Sequence, residues 1–119
     1  PSEIRYQEHL AKAQAAYQDI GVKSSAMYQA YHNYKMALYY SGQNYFDDAI
    51  TQRNFTALEE RLVERVDNLY FEAYNVMRSE RWNQADRMFR RLLVIYPDPE
   101  SAIYRRIISH LNYIQRNVR

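Results

Sequence analysis

Residues that form tight turns are scarce in this sequence. In 119 residues there are two glycines and three prolines, namely Gly21, Gly42, Pro1, Pro97 and Pro99. A sheet protein needs turn residues at most of its hairpins, so this scarcity favours helices throughout the chain. Hydrophobic side chains make up 47% of the residues, which is enough to bury a core. We therefore expect an all-α fold in a single domain, residues 1–119.

Apolar residues recur at intervals of three and four in six segments, which is the spacing of one helix face. The predicted helices cover approximately residues 3–20, 24–41, 44–52, 56–78, 82–95 and 99–117. Gly21 and Gly42 end the first two helices, and Pro97 ends the fifth because the residue before a proline avoids helical angles. Residues Thr56 to Glu59 have the sequence TALE, a capping box that predicts the start of the fourth helix.

Part of the sequence repeats at a spacing of 36 residues. The shift aligns Tyr34 with Tyr70, Ala37 with Ala73, Phe46 with Trp82 and Ala49 with Ala85. Small residues at the alanine positions let two antiparallel helices approach closely, and the aromatic residue fills the space beside the turn. The pattern predicts two helix–turn–helix units, at approximately residues 31–64 and 65–98.

The second unit resembles a tetratricopeptide repeat, whose pattern includes an alanine, a phenylalanine four positions on, and a closing proline. The residues that carry the resemblance are Ala73, Ala85, Phe89 and Pro97. The first unit matches less closely, because Arg53 and Arg61 replace the phenylalanine and the proline. The resemblance covers about residues 31–98 and implies antiparallel helix pairs, with capping helices at 3–20 and 99–117.

The resemblance also implies a binding groove, lined in that family by the first helix of each unit. Carried over by position, the groove residues are Tyr31, Tyr34 and Leu38 in the first unit, and Asp67, Tyr70, Tyr74, Met77 and Arg78 in the second. Tyrosines replace the lysines of family members that bind a C-terminal carboxylate, so an extended or helical peptide is favoured. Buried phenols would need hydrogen-bond partners, so we expect Tyr34 and Tyr70 to be exposed in the groove with Leu38 and Tyr74.

Charge is unevenly distributed along the chain. Residues 1–75 carry seven basic and ten acidic side chains, whereas residues 76–119 carry nine arginines and four acids. A basic half suits an acidic partner or nucleic acid. However, Arg87, Arg90 and Arg91 alternate with apolar residues of one predicted helix, so we expect a solvated surface there and not a nucleic-acid site.

The sequence contains no recognisable catalytic or metal-binding arrangement. His9, His32 and His110 are scattered and lack a metal-ligand partner four residues on. Cysteine is absent, which excludes disulfides, thiolate catalysis and cysteine zinc sites. The adjacent carboxylates Asp47 and Asp48 are explained by the dipole of a helix start. We expect a protein without enzymatic activity, cofactor or metal.

These observations favour a non-enzymatic protein–protein interaction module that acts as an adaptor, chaperone or assembly factor. The ending VIYPDP of the second unit resembles helix ends of tetratricopeptide-type proteins of the bacterial envelope, which suggests a secretion or envelope system by analogy. Apolar runs are too short to cross a bilayer, and the sequence does not choose between a cytoplasmic location and a periplasmic or envelope location after removal of a leader. Two alternatives remain: a subunit of a homo- or hetero-oligomer, and a nucleic-acid-binding protein that uses the C-terminal arginines.

Overall fold

The computed structural model describes residues 2–118, and this part of the chain is all-α, as predicted. Its five helices are α1 (Glu3–Gln18), α2 (Ala26–Ser41), α3 (Ala49–Arg78), α4 (Trp82–Ile95) and α5 (Ala102–Asn117). The chain divides into two compact units, with the division inside α3. Unit 1 extends to Val63 and unit 2 begins at Glu64. The prediction of six helices is wrong, because five are present in residues 2–118.

The third and fourth predicted helices are one continuous helix, α3. Thr56 lies inside it, and its hydroxyl accepts a hydrogen bond from Gln52 Nε2 at 3.2 Å. A capping box needs an interruption before it, and neither glycine nor proline stands between Asn44 and Thr56. The helix start is at Asp48, whose carboxylate accepts from the Thr51 hydroxyl at 2.7 Å and the Thr51 backbone N–H at 2.9 Å. These bonds lower the pKa of Asp48.

Unit 1 packs an aromatic centre among its helices. Tyr34 of α2 is 2% exposed, and its ring centroid lies 5.6 Å from that of Phe46 and 5.8 Å from that of Phe55. α1 packs along α2. Fully buried alanines occur in both helices, and side chains of this size allow close approach. They are Ala13, Ala30 and Ala37.

Unit 2 has a core of aliphatic residues around Phe89, which is fully buried. α4 has the predicted bounds. The sequence predicts an apolar stripe of Ile103, Ile107, Leu111 and Ile114 on the last helix, and in α5 the last three of these are buried while Ile103 is partly exposed. Ala73 and Ala85 are both fully buried, as expected for a close helix pair. By contrast Ala49, which the 36-residue shift aligns with Ala85, is exposed at the first position of α3.

The turns after α2 and α3 close with the same pair of backbone hydrogen bonds. After α2, Gln43 N–H donates to Leu38 O at 3.3 Å and Gly42 N–H donates to Tyr39 O at 3.3 Å. After α3, Arg81 N–H donates to Val76 O at 3.2 Å and Glu80 N–H donates to Met77 O at 2.9 Å. Both turns require a residue in the left-handed region. Gly42 has φ 73° and Glu80 has φ 62°.

Candidate interaction face on unit 2

An aromatic cluster with a histidine at its centre connects the helices of unit 2. The Tyr70 hydroxyl of α3 and Nε2 of His110 in α5 are 2.6 Å apart. The ring of Phe89 in α4 lies 6.0 Å from the Tyr70 ring and 5.2 Å from the His110 ring. The Tyr74 ring lies 5.6 Å from His110. Residues from three helices therefore hold one another in place around His110.

The protonation states of this cluster follow from burial and charge. Burial lowers the pKa of His110, and the positive charge of Arg106 lowers it further. Burial raises the pKa of Tyr70, and Arg106 acts in the opposite direction. Both side chains are therefore neutral at pH 7. The two groups share one hydrogen bond, and the tautomer of His110 determines which of them donates it.

Two guanidinium groups border the cluster. Arg106 Cζ lies 5.8 Å from the centre of the Tyr70 ring, and Arg78 Cζ lies 5.9 Å from the centre of the Tyr74 ring. Arg78 Nη1 also donates to the Tyr74 hydroxyl at 3.4 Å. In the described part of the chain, the ion pairs with carboxylates involve other basic residues. Arg78 and Arg106 are exposed, so donors of both groups can reach a partner.

The exposed side of α3 in unit 2 extends this cluster. Positions 67, 71, 74 and 78 share one side of the helix, because they are spaced by four, three and four residues. Phe71 is 63% exposed at the middle of this row, Asp67 and Arg78 are exposed at its two ends, and Tyr74 is partly buried. We name this surface the α3–α5 face. It consists of Asp67, Phe71, Tyr74 and Arg78 of α3 with Arg106 and His110 of α5.

Three of the five groove residues predicted for unit 2 lie on this face, and two lie in the core. Asp67, Tyr74 and Arg78 are the three on the face, whereas Met77 and Tyr70 are buried. The expectation that Tyr70 is exposed is wrong, since the side chain is only 9% exposed. Its hydroxyl bonds to His110, which is 40 residues away in the sequence, and no local spacing links the two.

The three groove residues predicted for unit 1 do not form an exposed ridge. Tyr34 and Leu38 are buried, so the expectation that they are exposed is wrong. Aromatic rings surround Tyr34, and its burial raises the pKa of its hydroxyl. Tyr31 is partly exposed, with its ring 6.0 Å from Phe55 and Lys35 Nζ 5.3 Å from its centre. Binding by these three residues stays a prediction.

Sequence reasoning missed three members of the α3–α5 face: Phe71, Arg106 and His110. Phe71 lies outside the buried stripe of α3. Its spacing from Asp67 and Arg78 indicates that the three residues share one side of the helix, so this member could have been predicted. Arg106 and His110 are four residues apart on α5, so they share a side of that helix. Their contact with Tyr70 is tertiary, and the sequence contains no signal for it.

Other features of the described surface lie outside the α3–α5 face. No three histidine, cysteine, aspartate or glutamate side chains within residues 2–118 come together to hold a metal ion. An open depression of about 500 Å³ in unit 1 is lined by Ser2, Arg5, Tyr39 and Tyr40. One of about 340 Å³ in unit 2 is lined by residues 80–84 and Val118. Neither contains a histidine.

Comparison with protein-family models, curated proteins and solved structures found no match to the chain. The resemblance to tetratricopeptide repeats therefore stays a prediction. None of the helices in the described residues combines the length and the apolar character that crossing a bilayer requires.

Proposed function

We propose that this protein is a non-enzymatic interaction module that binds a peptide or protein segment on the α3–α5 face. The observation that carries the proposal is the 63% exposure of Phe71, because exposing so large an apolar side chain to water is unfavourable without a partner. Tyr74 and two arginines lie on the same face. Aromatic and arginine side chains are the residue types that dominate binding energy at protein interfaces.

The contacts between this face and the buried cluster beneath it favour binding as well. Tyr74 packs on His110, and Arg106 lies over Tyr70 in the buried cluster. A side chain that already has a preferred position loses less conformational entropy when a partner binds. The face thus combines exposed contact area with partly ordered side chains.

The biological role within this class rests on the resemblance. A module of this kind serves as an adaptor, chaperone or assembly factor. The similarity of VIYPDP to helix ends of tetratricopeptide-type envelope proteins makes a bacterial secretion or envelope system our proposal for its setting.

The proposal is tested by selecting binders from a random 15-residue display library on the immobilised protein. We expect Phe71→Ala to weaken the selected peptides about tenfold or more, which corresponds to about 1.4 kcal/mol. Val94→Ala is the matched control, because Val94 is 56% exposed on α4 of the same unit and lies outside the face. If no peptide is selected, or if both variants bind equally well, the α3–α5 face is not the binding site.

A subunit of an oligomer is the second candidate, and exposed apolar residues of unit 1 favour it. They are Ile4, Val22, Tyr39, Tyr45, Ile50 and Val63. These residues are spread over several segments from α1 to α3, whereas Phe71 shares one side of α3 with Tyr74 and Arg78, so the observation is weaker than the one for unit 2. Sedimentation velocity from about 1 to 200 µM separates the candidates, because an oligomer dissociates on dilution. A monomer at all concentrations excludes self-association.

A further inference from the structure

We propose that the α3–α5 face recognises an acidic segment. Glutamate or aspartate side chains of the partner pair with Arg78 and Arg106, and an apolar side chain of the partner covers Phe71. This inference rests on the proposed function and specifies the chemical class of the partner.

The two arginines are the first reason. Each is exposed and lies over a tyrosine ring, and neither forms an ion pair with a carboxylate of the described chain. Arg90 shows the contrasting case, since its Nε lies 2.8 Å from the carboxylate of Asp86. The guanidinium group is a planar fork that matches a carboxylate, and it is less strongly hydrated than an ammonium group. Arg78 and Arg106 are therefore available to a carboxylate from outside the described chain.

The charge of the surroundings is the second reason. Residues 64–119 contain ten basic and seven acidic side chains. On the face itself the acid is Asp67, at the opposite end of the row from Arg78, about 16 Å away along the helix axis. The acidic residues of a partner are thus directed toward the end that carries Arg78, while Asp67 repels them from the other end.

Nucleic acid fits the face less well. A nucleic-acid strand carries phosphates at regular intervals and would place negative charge along the whole row, including the end at Asp67. The neighbouring exposed acids Glu64 and Glu72 of α3 add to the repulsion. A peptide can place an acidic side chain at the basic end and an apolar one at Phe71.

The cluster beneath the face supplies a separate readout. The side chains around His110 are Tyr70 and Tyr74 of α3, Phe89 of α4 and Arg106 of α5. The charge of Arg106 lowers the pKa of His110. Burial under any peptide lowers the pKa of His110, whereas a carboxylate bound to Arg106 offsets the arginine charge and raises it, so the pKa should be higher in a complex with a Glu peptide than with its Gln counterpart. By linkage, the preference for Glu over Gln then grows as the pH falls through the titration of His110.

The experiment compares three degenerate display pools of 12-residue peptides on the full chain. All contain Phe, Leu, Ala and Ser at random, and each adds Glu, Gln or Lys. We expect the Glu pool to be enriched about tenfold over the Gln pool at about 50 mM salt, with a smaller ratio at about 300 mM because salt screens exposed charges. Equal enrichment of the Glu and Gln pools overturns the acidic class but leaves the proposed function intact. No enrichment of any pool contradicts both.

Substitutions of single arginines show which residues cause the preference for Glu over Gln peptides. Arg78→Gln and Arg106→Gln should each reduce the ratio of Glu to Gln enrichment at least threefold. Arg91→Gln, an exposed arginine on α4 with the same charge change, should leave it within twofold. A His110 pKa, measured by NMR, that is no higher in the complex with the best Glu peptide than in the complex with its Gln counterpart counts against contact with Arg106.

Two other occupants are outcomes of the same series. A 20-nucleotide single-stranded DNA that binds more tightly than the best Glu peptide, and loses binding in both face variants, would identify nucleic acid as the partner. Self-association that both variants abolish would identify a second copy of the chain. Either result overturns the assignment of an acidic peptide.

Discussion

Each unit buries one tyrosine at the same place in the 36-residue alignment, but the surroundings of the two tyrosines differ. In unit 1, Tyr34 lies against the rings of Phe46 and Phe55. In unit 2, Tyr70 lies against the rings of Phe71 and Phe89 and bonds through its hydroxyl to His110, which is partly exposed. The difference teaches that a tyrosine at an equivalent position of the alignment can be part of a closed apolar centre or can support an exposed face. The hydrogen-bond partner of the hydroxyl group determines which of these two roles the tyrosine has.

The helices that follow these tyrosines also begin at different points of the alignment. α4 begins at Trp82, whereas α3 begins at Ala49, three positions later when the two stretches are superposed. Ala85 is thereby buried in the first turns of its helix, and Ala49 is exposed. Unit 1 fills its core with Phe55 instead, from further along α3. Aligned residues therefore do not have to share burial.

Removing the aromatic centre of unit 1 should have the largest effect. Tyr34→Ala leaves a cavity between two phenylalanine rings and should lower the free energy of unfolding by about 3–5 kcal/mol. Urea unfolding followed by circular dichroism measures it. Tyr39→Ala is the control on the same helix, because this exposed tyrosine should change stability by less than about 0.5 kcal/mol. Equal effects would show that Tyr34 is not a packing centre.

The aligned alanines provide the next test. Ala85→Leu should overpack a fully buried site and cost about 1–3 kcal/mol. Ala49→Leu adds the same atoms at an exposed position and should change stability by less than about 0.5 kcal/mol. Urea unfolding of both variants gives the comparison, and Trp82, the one tryptophan, is a fluorescence probe within unit 2. A similar cost at both positions would mean that the two units are packed alike.

Removing the hydroxyl group from each tyrosine should have a smaller effect on stability, and the effect should differ between the two residues. Tyr70→Phe removes the bond to His110 and should cost about 1 kcal/mol, the net value of one hydrogen bond. Tyr34→Phe should cost less, because the ring contacts of Tyr34 with Phe46 and Phe55 remain in this variant. Urea midpoints at pH 7.5 give both values. If Tyr34→Phe lowers stability more than Tyr70→Phe does, the Tyr34 hydroxyl has a partner that contributes more to stability than His110 does.

Local signals predicted much of the fold. The end of α2 at Gly42, the bounds of α4 and the buried stripe of α5 depend on residues close in sequence, and the structure agrees with all three. The start of α3 was mispredicted because TALE has the composition of a helix start, whereas Phe55, directly before this motif, and Leu58, within it, are both buried in unit 1. Packing of that kind outweighs a capping preference of about 1 kcal/mol.

The candidate face was only partly predictable. The row Asp67, Tyr74 and Arg78 came from a family pattern and lies on one side of α3, as the helical period requires. The burial of Tyr70 depends on its hydrogen bond to His110. Because the two residues are 40 positions apart, no local spacing in the sequence indicates that they form a pair. The hydrogen-bond partner of the Tyr70 hydroxyl lies on a neighbouring helix, α5, and not within α3.

The smallest predicted effect concerns the turns that follow α2 and α3, which share one hydrogen-bond pattern but not one residue type. A side chain in the left-handed region crowds the following carbonyl, at a cost of about 1–2 kcal/mol that glycine avoids. Unit 1 has Gly42 at this position and unit 2 has Glu80. Glu80→Gly should therefore stabilise the protein, by only about 0.5–1 kcal/mol because glycine also makes the unfolded chain more flexible.

Glu80→Gln is the control, since it removes the charge and keeps the strained backbone. The difference between the Gly and Gln variants in urea midpoint isolates the effect of conformation. The reverse change, Gly42→Gln, should destabilise by about 1 kcal/mol in the matching turn of unit 1. Opposite signs at the two positions would show that the turns are equivalent in backbone and differ in how well their residues suit it. A loss of stability in Glu80→Gly would instead mean that the Glu80 side chain makes a contact that outweighs the strain.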